Sequence, residues 1–165
     1  MEPSVTGLEG RVVLVTGAAR GIGAAVADAF GAAGAAVAIG DVDAGGATTV
    51  AARVGDTHGV ATLAVELDVT SRPDVDAALA KVQAELGPLD VLVNSAAVNG
   101  YRPFETFTRH DMLRVYEVNV IAPWMLMTDT IAGMRERRRG WILNLTSFAA
   151  ELPWGPPFPP PSHCN

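Results

Sequence analysis

Five apolar runs of strand length divide this sequence, and every segment between them carries helical period. The runs are RVVLVTG, AAVAIGD, VATLAVELD, LDVLVNSA and GWILNLTS. Between them lie IGAAVADAFGAAG, AGGATTVAARVG, RPDVDAALAKVQAELG and one long stretch, TRHDMLRVYEVNVIAPWMLMTDTIAGMRERRR. The order is therefore β-α repeated and closed by a strand. The runs are nearly continuously hydrophobic rather than alternating, as in strands buried on both faces, so the expected class is α/β with a doubly wound parallel sheet.

The turns agree with this parse. In TSRPD, Thr70 or Ser71 can cap the third helix and Pro73 falls in its first turn, while Gly87 and Pro88 stop it. The basic run from Arg135 to Arg139 lies at the end of the long helical stretch, where cations complement the helix dipole and Gly140 can cap. An anion-binding patch is the alternative for that run. Trp124, Met125 and Met127 read as helix packing or an oligomer face.

A chain of 165 residues fits one domain with a sizeable core. We place that domain at 1–150 and read 151–165 as an irregular tail, because Pro153, Pro156, Pro157, Pro159, Pro160 and Pro161 can continue neither a central strand nor a helix interior. The net charge of −6 disfavours a nucleic-acid partner. No apolar run reaches the ~18 residues of a membrane span, and MEPSVTGLEG lacks the basic and apolar regions of a signal peptide. The expected location is cytoplasmic. A lone cysteine, Cys164, excludes an internal disulfide framework, and His58, His110 and His163 lack metal-ligand spacing, so no metal site is expected.

The chemistry-bearing signal is TGAARGIG, Thr16 to Gly23, where the first strand turns into the first helix. Gly17 suits the tight turn, Gly21 admits a pyrophosphate to the backbone of Arg20, Gly21 and Ile22, and Gly23 lets the helix pack closely. About 20 positions on, Asp41 ends the second strand, where a carboxylate can accept bonds from the adenosine ribose hydroxyls and repel a 2′-phosphate. Arg20 pulls the other way, since a guanidinium can pair with that phosphate. An ordinary turn carboxylate and a solvated loop charge are the plainer readings of these two residues. The expectation is a Rossmann-like dinucleotide site preferring NAD, with NADP less favoured.

The loop has three residues between its first two glycines, and with the downstream NSAA and LNLTS it resembles the short-chain dehydrogenase/reductase family, whose loop is Thr-Gly-x-x-x-Gly-x-Gly. The resemblance runs from Leu8 to Ala150. It implies that Asp68 contacts adenine with Val69 beside it, a strand-end turn being the alternative for Asp68. It places Asn94 and Ala96 in the cofactor site, although Asn94-Ser95-Ala96-Ala97 stands where the family has Asn-Asn-Ala-Gly. Asn119 becomes the helix-disturbing asparagine that positions a water, with a satisfied buried asparagine as the alternative. Ser147 becomes the serine that holds the substrate carbonyl, with Thr146 its neighbour and rival and a structural strand-end serine the plainer reading, and Tyr101 falls in a loop that can line the substrate pocket or simply lie at the surface.

The family's acid/base, a tyrosine in Tyr-x-x-x-Lys, has no match here. The tyrosines are Tyr101 and Tyr116 and the one lysine is Lys81, on an earlier helix. Counting on from Ser147 by the family's interval reaches Pro160, so the sheet is expected to be incomplete on its C-terminal side. The implied activity is hydride transfer between a nicotinamide and a small alcohol or carbonyl substrate, impaired in this chain. The alternative is an inactive dinucleotide-binding or interaction module. A homo-oligomer is compatible with either.

Overall fold

The computed structural model describes residues 7–99 and 103–147. Among these residues twelve elements succeed one another in chain order. They begin with β1 (Val12–Thr16), α1 (Gly21–Ala32), β2 (Ala36–Asp41), α2 (Ala44–His58), β3 (Thr62–Glu66), α3 (Arg72–Glu85) and β4 (Val91–Asn94). After a 3-10 turn (Phe104–Thr106) come α4 (Arg109–Tyr116), a π turn (Glu117–Ile121), α5 (Ala122–Glu136) and β5 (Trp141–Asn144). The five strands form one parallel sheet in the order β3-β2-β1-β4-β5. The expected doubly wound α/β class is what folds.

Side-chain alternation divides the strands between two cores. Val13, Val15, Val37, Ile39, Val91 and Val93 face α1 and α2, whereas Val12, Leu14, Ala38, Leu63, Val65 and Leu92 face α3 and α5. Both faces of β1 are thereby buried, which is why its sequence shows no polar alternation. The chain winds outward from β1 to β2 and β3, then returns to place β4 on the other side of β1. That reversal opens a crevice at the carboxyl ends of β1 and β4, the place where open α/β sheets bind ligands.

Local caps fix the helices. Ser71, not Thr70, caps α3 by accepting from the Asp74 amide, and Thr108 with Asp111 forms a reciprocal capping box on α4. The long helical stretch departs from expectation in two ways. It is broken by the π turn immediately before Pro123, whose missing N–H cannot serve the carbonyl of Asn119 four residues earlier. It also ends at Glu136, and Arg138, with φ 51°, takes the left-handed position expected of Gly140.

The early end of α5 has its cause in Arg139, which is drawn back to the sheet. Its Nε donates to Asp90 Oδ1 at 2.7 Å and its Nη2 to Oδ2 at 3.3 Å. Asp90 is fully buried and also accepts from the Val12 amide at 3.2 Å. Gly140 is needed for space instead, because a Cβ there would lie 2.4 Å from Met134 Cβ. The basic run thus includes two ties to the start of β4, Arg139 on Asp90 and Arg137 on the Leu89 carbonyl at 2.7 Å.

β5 is the edge strand among the described residues, and Trp141, Leu143 and Leu145 are exposed along or just beyond it. Trp124, expected to pack or to face an oligomer partner, is 63% exposed on α5. Residues 151–165, Tyr101 and Cys164 lie outside the described residues.

Candidate functional site

The crevice is built on Thr16, the last residue of β1. It is buried, its hydroxyl donates to the Val93 carbonyl at 3.3 Å, and its oxygen accepts from the amides of Ser95 and Ala96 at 3.1 Å each. One side chain therefore ties the glycine turn to the segment after β4. Expected in the cofactor-binding set, Thr16 spends its hydroxyl within the protein and is placed to position the turn.

Each glycine of the turn has a distinct spatial reason. Gly17 has φ 64°, and a Cβ on it would lie 2.6 Å from the Cα of Ala96. A Cβ on Gly23 would sit 2.3 Å from the Gly17 carbonyl oxygen, so the helix closes directly on the turn. Gly21 differs: its φ is 57°, yet a Cβ there meets nothing within 4 Å. Among the described residues, none fills the space above Gly21. Beside it Ile22 is 70% exposed, an unusual position for an isoleucine in a helix that otherwise packs.

α1 starts without a side-chain cap and without an acidic residue in its first turn, and Arg20, at its N-cap position, is exposed. The first amides of a helix have no intrahelical acceptors, so this end presents N–H donors and the positive end of the dipole to the crevice. Asp41 stands at the end of β2. Its Oδ2 accepts from the Ala19 amide at 2.9 Å and its Oδ1 from the Asp43 amide at 3.0 Å. Each oxygen keeps further acceptor capacity, so the carboxylate can hold the loop and still take hydroxyl donors.

At the next strand end Asp68 Oδ1 accepts both the amide and the hydroxyl of Thr70, at 2.9 and 2.7 Å, and Val69 is half-buried against the α3 side of the core. The turn role weighed for Asp68 is present in the structure. Asn94, closing β4, is buried; its Nδ2 donates to Asn144 Oδ1 at 2.8 Å, while its Oδ1 has no partner among the described residues. Asn144, which ends β5, carried no sequence signal beyond being a second asparagine at a strand end.

Asn119 sits inside the π turn and clamps one peptide segment from both sides. Its Oδ1 accepts from the Val98 amide at 2.9 Å and its Nδ2 donates to the Val98 carbonyl at 3.0 Å. The segment after β4 is thus held by Thr16 at Ala96 and by Asn119 at Val98. Ser147 is exposed three residues beyond the end of β5. Arg20, Val98, Asn99, Asp111, Arg114 and Val115 line a cleft between the glycine turn, the post-β4 segment and α4. Nothing in the sequence singles out Arg114, which reads there as an ordinary surface charge on a helix.

Among the described residues, no group of three or more His, Cys, Asp or Glu could hold a metal ion. Nor is any helix among them long and apolar enough to cross a membrane.

The short chain dehydrogenase family matches residues 11–156. A galactitol 2-dehydrogenase of Agrobacterium fabrum is 42% identical over 143 residues, covering 86% of this chain and 54% of that protein. A D-threitol dehydrogenase of Mycolicibacterium smegmatis is 39% identical over 145 residues, covering 88% and 55%. Among solved structures, a 7 alpha-hydroxysteroid dehydrogenase complexed with NADH and 7-oxo glycochenodeoxycholic acid superposes with a TM-score of 0.84 at 33% identity, covering 91% of this chain and 58% of that one. The chain spans just over half the length of these relatives.

Proposed function

This chain belongs to the short-chain dehydrogenase family, and on that premise we propose that it binds a nicotinamide dinucleotide, NAD in preference to NADP, for hydride exchange with a small polyol or sugar-derived alcohol or carbonyl. The observation that carries the binding is the glycine turn. Two of its glycines are filled against the protein itself, while Gly21 opens on unfilled space beside an uncapped helix start. Amides of Gly21, Ile22 and Gly23 suit the diphosphate, Asp41 the ribose hydroxyls, and Asp68 and Val69 the adenine side. The choice of polyol substrates rests on the relatives' names.

When bound, the nicotinamide supplies the hydride acceptor or donor. The chain's own residues orient: Ser147 suits a bond to the reacting oxygen, and Asn119 fixes the backbone at Val98 while Pro123 leaves its carbonyl without the usual helical donor. Oxidation of an alcohol would in addition require a base to take the O–H proton. No Tyr-x-x-x-Lys pair occurs in these 165 residues. We therefore expect dinucleotide binding with poor turnover, since loss of a tuned acid/base costs about 10² to 10⁴ in rate. The second reading, a dinucleotide-binding module without catalysis, differs from the first in predicting binding without turnover. Self-association through exposed apolar side chains of α5 and β5, in the cytoplasm, completes the proposal.

The test is titration with NAD and NADP, followed by NAD reduction with galactitol, sorbitol and threitol. It should be run on this chain and on one extended by a family-like Tyr-x-x-x-Lys segment. Binding by both and efficient turnover by the extended chain alone are expected. Binding without turnover in both would favour the module. Equal turnover would assign the acid/base to a residue already present, with Tyr101 first to be substituted.

A further inference from the structure

Two guanidinium groups line the same cleft without a partner of their own. Arg114 on α4 and Arg20 at the start of α1 make no side-chain hydrogen bond or ion pair among the described residues. The acid in the cleft wall, Asp111, turns its Oδ2 to the amide and hydroxyl of Thr108, at 3.0 and 2.7 Å. Like charges that share a cleft repel one another unless an anion lies between or beside them. This occurs in a chain with a net charge of −6, where carboxylates to pair with are plentiful. With no partner for either arginine among the described residues, this opening suits an anionic occupant.

The rest of the cleft describes that occupant. Val98 and Val115 supply an apolar flank, and Arg20 immediately precedes the uncapped amides of Gly21 to Gly23. A ligand carrying phosphate charge next to a less polar body fits this wall. Asp41 is not among the lining residues, and its carboxylate disfavours a 2′-phosphate near the ribose. Resting on the dinucleotide reading above, we propose that Arg114 is a further binding residue that, with Arg20, holds the dinucleotide's diphosphate from the α4 side. Of the glycine turn Arg20 lines the cleft, next in sequence to the amides of Gly21 to Gly23, and α4 supplies a cation on its other wall.

The experiment compares the parent chain with Arg114→Met and with Arg135→Met, an exposed cation on α5 that is not in the cleft. NAD, NADP, ADP and adenosine are titrated into each by calorimetry or ligand-observed resonance at low and high salt. Arg114→Met should weaken NAD and ADP about fivefold at low salt, with a smaller effect at high salt, as for an exposed charge-assisted contact. Adenosine affinity should be unchanged, as should the ligand-free melting temperature and every affinity of Arg135→Met.

Unchanged NAD affinity in Arg114→Met, with the parent binding normally, would overturn this assignment and leave the dinucleotide reading intact. Equal losses for ADP and adenosine would overturn it in favour of packing on the base. A loss confined to NADP would overturn it in favour of the 2′-phosphate. Equal losses in Arg135→Met would overturn it by reducing the effect to the overall field of the chain. Failure of the parent to bind any of the four would overturn both readings.

Discussion

Replacing Thr16 with valine removes one oxygen and almost no volume, which makes it a sharp probe of the turn. The hydroxyl makes three bonds, donating to Val93 and accepting from Ser95 and Ala96. Valine keeps the β-branched shape in a strand, so no cavity forms and the loss is polar. A net bond is worth about 1 kcal/mol, and a buried group left unpaired costs about 1–3 kcal/mol. Ser95 and Ala96 are only half-buried, so water can recover part of each loss. We expect about 2–4 kcal/mol in all, out of the ~5–15 kcal/mol that usually holds a domain together. At about 2–4 °C per kcal/mol for a chain of this size, the melting midpoint should fall by roughly 5–15 °C.

Thr16→Ser supplies the control. It retains the oxygen and gives up one methyl group, for about 1 kcal/mol. Urea and thermal melts followed by circular dichroism, with NAD titrations on the folded proteins, read both effects. The valine variant should bind NAD more weakly, because the Gly17–Ala96 approach is no longer pinned. If serine proves as damaging as valine, or valine as stable as threonine, the hydroxyl does not organise the crevice and its three bonds are incidental to it.

Asp41→Ala should narrow or invert the preference for NAD over NADP by removing a carboxylate beside the ribose, and calorimetry with both cofactors measures the ratio. Tighter NADP binding by the parent chain would instead show that Arg20 decides selectivity. Asp90→Ala should destabilise the chain by about 3 kcal/mol, since it strands the Val12 amide and removes the partner of Arg139; a shift in the urea midpoint at unchanged slope reads it. At Asp28, burial alone raises the carboxyl, but the bond from Arg53, with His58 Nε2 at 3.4 Å behind it, outweighs burial and holds it below its ordinary value. A carboxyl with a depressed folded pKa stabilises above its unfolded value and loses that contribution as pH falls through the folded one. Asp28→Asn should thus cost about 0.5 kcal/mol near pH 7, small because the pair is exposed, and the difference from the parent should shrink as pH falls through the lowered folded value.

How much of this was legible in sequence depends on how far each interaction reaches along the chain. The strand and helix alternation, a cap at Thr70 or Ser71 and the glycine turn were readable because hydrophobic period, capping chemistry and turn dihedrals act over a few residues. Asp41 was readable for a related reason: a β-α-β unit fixes how far the second strand end lies from the first loop, and the Ala19–Asp41 bond closes that unit. The π turn was readable in principle, since Pro123 must deprive Asn119 of a donor, but an asparagine inside a helix is the louder local signal and masks the proline. The placing of Gly140 as a cap failed because local preference was overridden. Arg139 is drawn back to a buried aspartate 49 positions earlier, and that pull makes Arg138, not a glycine, adopt the left-handed turn.

The contacts made after β4 is inserted beside β1 come from the fold alone. Thr16 meets Ser95 and Ala96 across 79 and 80 positions, Asn94 meets Asn144 across 50, and Arg20 comes to share a cleft with Arg114. None of these can be had from spacing, because strand order and register are set by the packing of two whole cores. Local sequence pattern was enough to call for a parallel sheet with a glycine turn between β1 and α1. The fold decided which distant side chains hold that turn open, since a side chain acquires a partner only once the strands beneath it are aligned.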